Sequence, residues 1–335
     1  MTAVPMLSTM GKRPRFPLPR YPTGWFFVAY SEELVPGQAR PITAFGKDLV
    51  LFRGEDGRAA LLDAHCPHMG AHLGQGKVKG QCVVCPFHAW TYDREGQCVE
   101  IPYAKKIPPK ARVATWHMRE LNGMIVAWHH IDGAPPSWEP PAIPEMSDAG
   151  WSGPERRIWK IRTHNQEMGE NAVDIAHFRY LHGTQSYPES VVEFGTPVLH
   201  MRAETRMTTP RGEVSAVIES RSYGFGIAVN RFTGLVETLV VATQTPVDDE
   251  HIEARFNFYV KKLGDENSTK GLGRAFIAEI ARQLEQDIPV WENKVYVHPP
   301  LLCSGDGPVG KYRKWARQFY PEHYIESAER AFAGR

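Results

Sequence analysis

Cys66-Pro67-His68 and Cys85-Pro86-Phe87-His88, with sixteen residues between them, are the stretch from which the fold and chemistry of this chain can be read. Each half offers one thiolate and one imidazole, held close by a short proline-containing turn. Two such turns facing each other supply two sulfurs to one iron and two nitrogens to another. Replacing two thiolates by neutral imidazoles removes negative charge from a [2Fe–2S] cluster and raises its reduction potential. The intervening glycines (Gly70, Gly74, Gly76, Gly80) suit tight loops. A Cys2His2 zinc site uses the same residue types, and Cys82-x-x-Cys85 has zinc-knuckle spacing. Cys66-x-His68 is too tight a pair for the usual zinc hook, and Cys82-Val83-Val84 reads as a buried strand, so iron–sulfur is the stronger reading. His65 and His72 are then ordinary polar neighbours. Cys82, Cys98 and Cys303 are inert small side chains.

Outward from this stretch the chain reads as short strands. Val50–Arg53 and Ala59–Leu62 flank the turn Glu55-Asp56-Gly57, Trp90–Tyr92 precedes Arg94-Glu95-Gly96, and Met124–Trp128 is the last strand. Five prolines between Pro135 and Pro144 make a stiff linker. The expected division is an extension over 1–20, an all-β iron–sulfur domain over 21–132, a proline-rich linker over 133–150, and a second domain over 151–335. The 335 residues are enough for two domains, each burying its own core. Balanced charge, 39 Lys+Arg against 38 Asp+Glu, excludes a strongly basic nucleic-acid binder and an acidic disordered chain. Five cysteines are too few, and odd in number, for a disulfide scaffold. Mean hydropathy is −0.38, and no stretch approaches the roughly 20 apolar residues of a membrane span. Met1–Arg20 carries basic residues among prolines without an apolar core, so no secretory signal is expected. The protein is expected to be soluble and cytoplasmic.

A cluster of this kind moves single electrons, which directs attention to Glu170–His182. Asn171, Asp174 and His177 follow at i, i+3 steps, so each neighbours the next on a helix surface. His177 and His182 would point about 140° apart on an ideal helix, so sharing a metal requires a break or a π-bulge between them. The plainer reading, that both are ordinary helix residues, stands beside it. Two histidines and one carboxylate leave positions open on an iron. The carboxylate is sought in Lys270–Ile288, where Leu272, Phe276, Ile280 and Leu284 set an apolar stripe. Asp287 projects onto the centre of that stripe, Glu285 to the opposite side and Glu279 well off it. A carboxylate on a buried face is costly unless paired or coordinated, so Asp287 is the expected third ligand. Pro289 is expected to end the regular helix there; a buried Asp capping a local turn is the alternative. Asp174 is assigned to orienting His177 and to the electron path. Asn171 and Glu170 are supporting candidates, and His164 opens the helix without being a ligand. Val214–Glu219, Phe225–Val229, Leu235–Thr243 and Ile252–Val260 read as an antiparallel sheet. A cavity walled by Phe225, Phe232, Phe256, Phe258 and Tyr259 would suit a bulky, poorly soluble substrate.

With these residues in place, the chain resembles the oxygenase component of the Rieske non-haem iron oxygenases, closest to the 3-ketosteroid 9α-hydroxylases and cholesterol 7-desaturases. The matching stretches are Ala44–Val50, Cys85–Trp90, Ile101–Lys105, Ala176–His182, Gln286–Trp291, Asp306–Val309 and Trp315–Tyr320. Two departures are Asn171, where many members carry an acidic residue, and Pro289 within the carboxylate-bearing helix. The resemblance implies an α+β fold: an N-terminal all-β Rieske [2Fe–2S] domain and a helix-grip (START-like) catalytic domain with an antiparallel sheet. It implies a cluster on Cys66, His68, Cys85 and His88, and a mononuclear Fe(II) on His177, His182 and Asp287. Asp174 would stand between the two centres, with Asn171 beside it. Electrons from NAD(P)H would arrive through a ferredoxin or flavin reductase, and O2 would be used to hydroxylate, desaturate or oxidatively demethylate a sterol. Members form head-to-tail homotrimers, and the membrane anchor of some animal members is expected to be absent. The alternatives are an aromatic-acid O-demethylase, which an Arg or Lys in the pocket would favour (Arg221 and Arg255 lie on expected strands without an evident inward bias), and a non-catalytic electron-transfer protein.

Overall fold

The computed structural model describes residues 15–183, 189–209, 212–234, 236–263 and 266–326. Residues 1–14 of the expected extension, Leu235 at the start of an expected strand, and the last nine residues of the second domain lie outside them.

Ten short strands make up the described part of the first half: β1 (Gly24–Tyr30), β2 (Ala39–Ala44), β3 (Lys47–Arg53), β4 (Ala59–Asp63), β5 (Lys77–Lys79), β6 (Cys82–Val84), β7 (Thr91–Tyr92), β8 (Cys98–Glu100), β9 (Met118–Leu121) and β10 (Met124–His129). They form three antiparallel sheets, ordered β2–β3–β4, β5–β6–β7–β8 and β1–β10–β9. The apolar run of β3 serves two cores because its side chains alternate. Val50 and Phe52 pack with Cys66, Leu73, Cys85 and Tyr92, whereas Leu49 and Leu51 pack with Phe26, Phe45 and Ile125. The loops after β4 and β6 carry the Cys/His pairs.

The second half comprises β11 (Glu155–Ile161), α1 (Asn165–Glu170), α2 (Ala176–Tyr180), β12 (Glu189–Phe194), β13 (Val198–Thr209), β14 (Gly212–Tyr223), β15 (Ile227–Thr233), β16 (Thr238–Pro246), β17 (Ile252–Val260), α3 (Glu266–Asn293) and α4 (Val309–Ala316). Its strands form one antiparallel sheet, β11–β17–β16–β15–β14–β13–β12. Alternation again divides the faces. Ile227, Val229, Leu239, Val241 and Tyr259 pack against Trp25, Phe27, Val126 and Trp128 of β1 and β10. Val240, Phe258 and Val260 turn the other way, under Ile277 of α3. Each half buries cores of its own, but the expectation of two independent cores is corrected in one respect: a further core is shared, because the aromatic face of β1 and β10 is covered by the large sheet and the proline-rich segment. The proline-rich segment lies along this seam. The Trp25 indole N–H donates to the Trp138 carbonyl at 2.7 Å, Trp138 packs edge-on to Trp128, Ile143 is buried, and Glu145 pairs with Arg231 at 2.6 Å.

Two local expectations change. Phe225 does not begin β15; it sits in the turn before it, where Gly224 has φ 61° and a Cβ on Gly226 would strike the Trp25 carbonyl. Phe225 packs instead with Tyr312, Trp315 and Phe319. Nor does Pro289 end α3, which continues to Asn293. Proline removes one N–H and crowds the preceding turn, but the turn beyond it is anchored elsewhere. Trp291 is 2% exposed in a core with Ile161, Met168 and Leu284, and the Arg15 guanidinium donates to its carbonyl.

Candidate metal centres

The two Cys/His loops share one backbone design. The Cys66 N–H donates to the Ala71 carbonyl and the Gly70 N–H to the Cys66 carbonyl; the Cys85 N–H donates to Trp90 and the Ala89 N–H to Cys85. In each loop the residue four past the cysteine is left-handed, Gly70 at φ 77° and Ala89 at φ 57°. The matched turns bring the cysteines together in the interior, 1% and 4% exposed. Cys66 and Cys85 belong to one core cluster, and burial pushes the Cys66 thiol up. The His68 and His88 rings lie 4.7 Å apart near the surface, with Trp90 stacked on His68. His88 Nδ1 is buried without a hydrogen-bond partner, and an atom left so is what a ligand bond would satisfy. The donor set of two adjacent thiols and two adjacent imidazoles therefore fits a [2Fe–2S] cluster. Cys82, the alternative zinc ligand, has Asp93, Arg94 and Glu100 as its charged neighbours, and burial pushes its thiol up. Spacing did not reveal Tyr92, whose hydroxyl lies 3.0 Å from Cys66 Sγ, where it can tune the charge on that sulfur.

The second centre starts from an interrupted helix. After α1 the N–H groups of Asn171, Ala172 and Val173 reach back three residues, tightening the turn before it breaks. Asp174 then opens α2: its Oδ1 accepts from the N–H of Ala176 at 3.1 Å and of His177 at 3.4 Å. Gly307 lies against this break, where a Cβ would collide with the Val173 carbonyl. At the far end both Leu181 and His182 donate their N–H to the His177 carbonyl. That π-type closure swings His182 back beside His177, ring centroids 5.0 Å apart. From α3, Asp287 places Oδ1 3.5 Å from His182 Nε2. The ligand atoms of His177, His182 and Asp287 all lie within 4.8 Å of one another. Asp287 is 7% exposed, and burial pushes its carboxyl up to about 7, against a lowering contact from the Asn171 side chain. A buried carboxylate facing two imidazoles, with an amide as its polar neighbour, is an environment that a cation completes. The residues fit a divalent metal.

Around the three donors, the His177 Nδ1–H is taken by the Asp174 backbone carbonyl at 2.5 Å, with the Asp174 carboxylate 3.9 Å away. The hold of Asp174 on His177 thus runs chiefly through the main chain, and the half-exposed carboxylate is occupied with capping α2. Burial lowers the His177 imidazole, keeping it neutral. His182 Nδ1 lies 3.1 Å from Gln286 Oε1, and the Trp291 indole N–H donates to Asn171 Oδ1 at 3.3 Å. Neither Gln286 nor Trp291 carried a spacing signal beyond its closeness to Asp287. Glu170 turns away into a two-pronged pair with Arg313, at 2.7 and 3.0 Å. His164 caps α1, its Nδ1 accepting from the Gln166 N–H.

Of the aromatic residues expected to wall a cavity, Phe232, Phe256 and Phe258 are on the α3 side of the sheet, Phe232 lying 5.0 Å from Phe276. Tyr259 faces the iron–sulfur half, and Phe225 belongs to the α4 core. Arg221 pairs with Glu219 and Arg255 with Glu253, and Arg255 lies over Phe27 on the iron–sulfur side. Neither presents its charge on the α3 side. Among the described residues, no helix is long and apolar enough to cross a membrane.

Comparison with known proteins bears on both halves. Residues 24–117 match the Rieske [2Fe-2S] domain, and residues 127–320 match the 3-ketosteroid 9alpha-hydroxylase C-terminal domain. A probable 3-ketosteroid-9-alpha-monooxygenase oxygenase component of Rhodococcus rhodochrous is 33% identical, over 91% of this chain and 81% of its own. Cholesterol 7-desaturase of Caenorhabditis elegans is 33% identical, over 95% of this chain and 80% of its own. The crystal structure of dicamba monooxygenase shares the fold with a TM-score of 0.71 at 21% identity, covering 93% of this chain and 98% of that one.

Proposed function

The chain belongs to the Rieske non-haem iron oxygenases that carry a 3-ketosteroid 9α-hydroxylase C-terminal domain, and from that membership we propose that it oxidises a sterol or steroid at a mononuclear iron on His177, His182 and Asp287. The observation that carries the reading is the convergence of these three donors around a buried carboxylate. Iron held by these three residues would supply the oxidising chemistry that O2 brings to an unactivated C–H bond. The protein's part is positional. His177 and His182 offer one nitrogen each, Asp287 offers the charge, and Asn171 is its polar neighbour. Phe232, Phe256, Phe276 and Ile280 make the α3 side of the sheet apolar, which suits an apolar substrate better than a charged one. Cys66, Cys85, His68 and His88 hold the cluster, which a ferredoxin or flavin reductase charges from NAD(P)H. Domain limits at 21–132 and 151–335, joined by the packed segment 133–150, complete the assignment.

The same proposal includes a head-to-tail homotrimer in which one subunit's cluster loops face its neighbour's Asp174. Exposed Met69, Phe87 and Tyr103 beside the cluster loops, and exposed Tyr180 beside the triad, support such a contact. Five cysteines, none of them in a disulfide, suit the proposed reducing, cytoplasmic setting.

Incubation of the full chain with a reductase, NAD(P)H and a panel of sterols, read by mass spectrometry, tests the reading. An iron-dependent hydroxylated or dehydrogenated sterol is expected. Turnover of methoxybenzoates with no sterol oxidised would replace it by an aromatic O-demethylase.

A further inference from the structure

Each imidazole of the triad must present a bare nitrogen to a cation, and the acceptor on its other nitrogen decides whether it does. For His177 that acceptor is the Asp174 carbonyl, main chain that no substitution removes. For His182 it is a side chain: Gln286 Oε1 lies 3.1 Å from Nδ1, while Asp287 Oδ1 lies 3.5 Å from Nε2. Two consecutive residues of α3 therefore hold the two nitrogens of one ring.

We propose that Gln286 is a positioning residue of the metal site, fixing the His182 tautomer that leaves Nε2 bare and holding the ring toward Asp287. The inference rests on His177, His182 and Asp287 being a metal site. Only the amide oxygen can accept the Nδ1–H. Were the amide nitrogen turned to the ring, the hydrogen would reside on Nε2, aimed at Asp287, and the ring could not take a cation. The His182 side chain is 2% exposed, which leaves little access for water to substitute for the amide. Being neutral, Gln286 sets the tautomer without a second negative charge, so Asp287 is the one anionic donor of the three. A carboxylate at 286 would accept the same hydrogen; a hydrocarbon would not.

The test is anaerobic equilibrium dialysis of Fe(II) against the full-length, cluster-containing protein, with the cluster's visible absorption as the folding check. Gln286→Leu is expected to weaken Fe(II) binding by roughly 10- to 100-fold with the absorption unchanged. Gln286→Glu is expected to bind within a few-fold of wild type or more tightly, a rescue that a merely structural role would not produce. Should the Leu variant lose its cluster, Gln286→Met, similar in length and lacking an acceptor oxygen, takes its place. Wild-type affinity in Gln286→Leu or Gln286→Met, or a Glu variant as weak as these, overturns the proposal alone. A wild-type protein that takes up no Fe(II) overturns the metal-site reading beneath it.

Discussion

The cluster loops draw all four donors from residues 66–88 and close each half by hydrogen bonds spanning at most five residues. The triad takes two donors from an interrupted helix and the third from α3; 104 residues separate His182 from the Gln286 that holds it. One site is made by turns, the other by packing. Turn-built geometry depends on a few local φ values and carbonyls. Packing-built geometry depends on everything that seats α1, α2 and α3 against the sheet, including the Gly307 contact and the Trp291 anchor. A disturbance of tertiary packing should therefore reach the triad before it reaches the cluster loops.

The largest effects should separate the sites completely. His177→Ala is expected to abolish oxygen-coupled product formation while leaving the cluster's visible absorption, and Cys85→Ser to remove that absorption while Fe(II) uptake persists. Turnover surviving in His177→Ala would break the assignment of the triad.

Acid offers a second separation. Burial holds His129 down to about 4 and His164 down to about 3, both neutral in the fold and hydrogen-bonded to the Pro22 and Pro19 carbonyls respectively. A histidine depressed by folding contributes stability above its unfolded value near 6.5 and loses it as pH falls through the folded value. Thermal stability should therefore fall by a few kcal/mol between pH 6.5 and 4. Because His164 caps the helix leading to the triad, Fe(II) should be released at a higher pH than the cluster bleaches. Simultaneous loss of both would show that the sites share one unfolding unit.

Trp291→Phe keeps the packing and deletes the hydrogen bond to Asn171. An Fe(II) affinity about 10-fold lower, with the cluster untouched, is expected, measured by the same dialysis. The smallest effect belongs to the cluster loops. Ala89 is held at φ 57° where its counterpart is glycine, so Ala89→Gly should change stability by no more than about 1 kcal/mol in thermal unfolding. A marked loss of cluster would mean that the turn is set by more than its own backbone.

Legibility followed the same divide. The Cys/His pairs, their turns and the strand β3 could be read directly, because turn chemistry and a period of two act within a few residues. On the helix bearing the carboxylate, projection singled out Asp287, and the structure places it buried beside His182 while Glu285 and Glu279 stay exposed. The same projection could not see that α3 survives Pro289, because the packing of Trp291 lies outside the helix itself. Nor could it give Asp174 its main-chain hold on His177, since a capping carboxylate and an orienting one occupy the same position in a sequence.

The amino-acid sequence by itself therefore determined the Rieske class of the first half through local spacing, and it singled out His177, His182 and Asp287 as candidate donors through residue type and family pattern, together with the sheet-and-helix character of each half. Tertiary structure alone decided that the halves share a core, that Arg221 and Arg255 face away from α3, that Gln286 and Asp287 hold His182 between them, and that Tyr259 belongs to the seam. The physical reason is range. Turns and alternation are set by neighbours in the chain, whereas a buried face or the partner of a ring nitrogen is chosen by whichever distant segment folds against it.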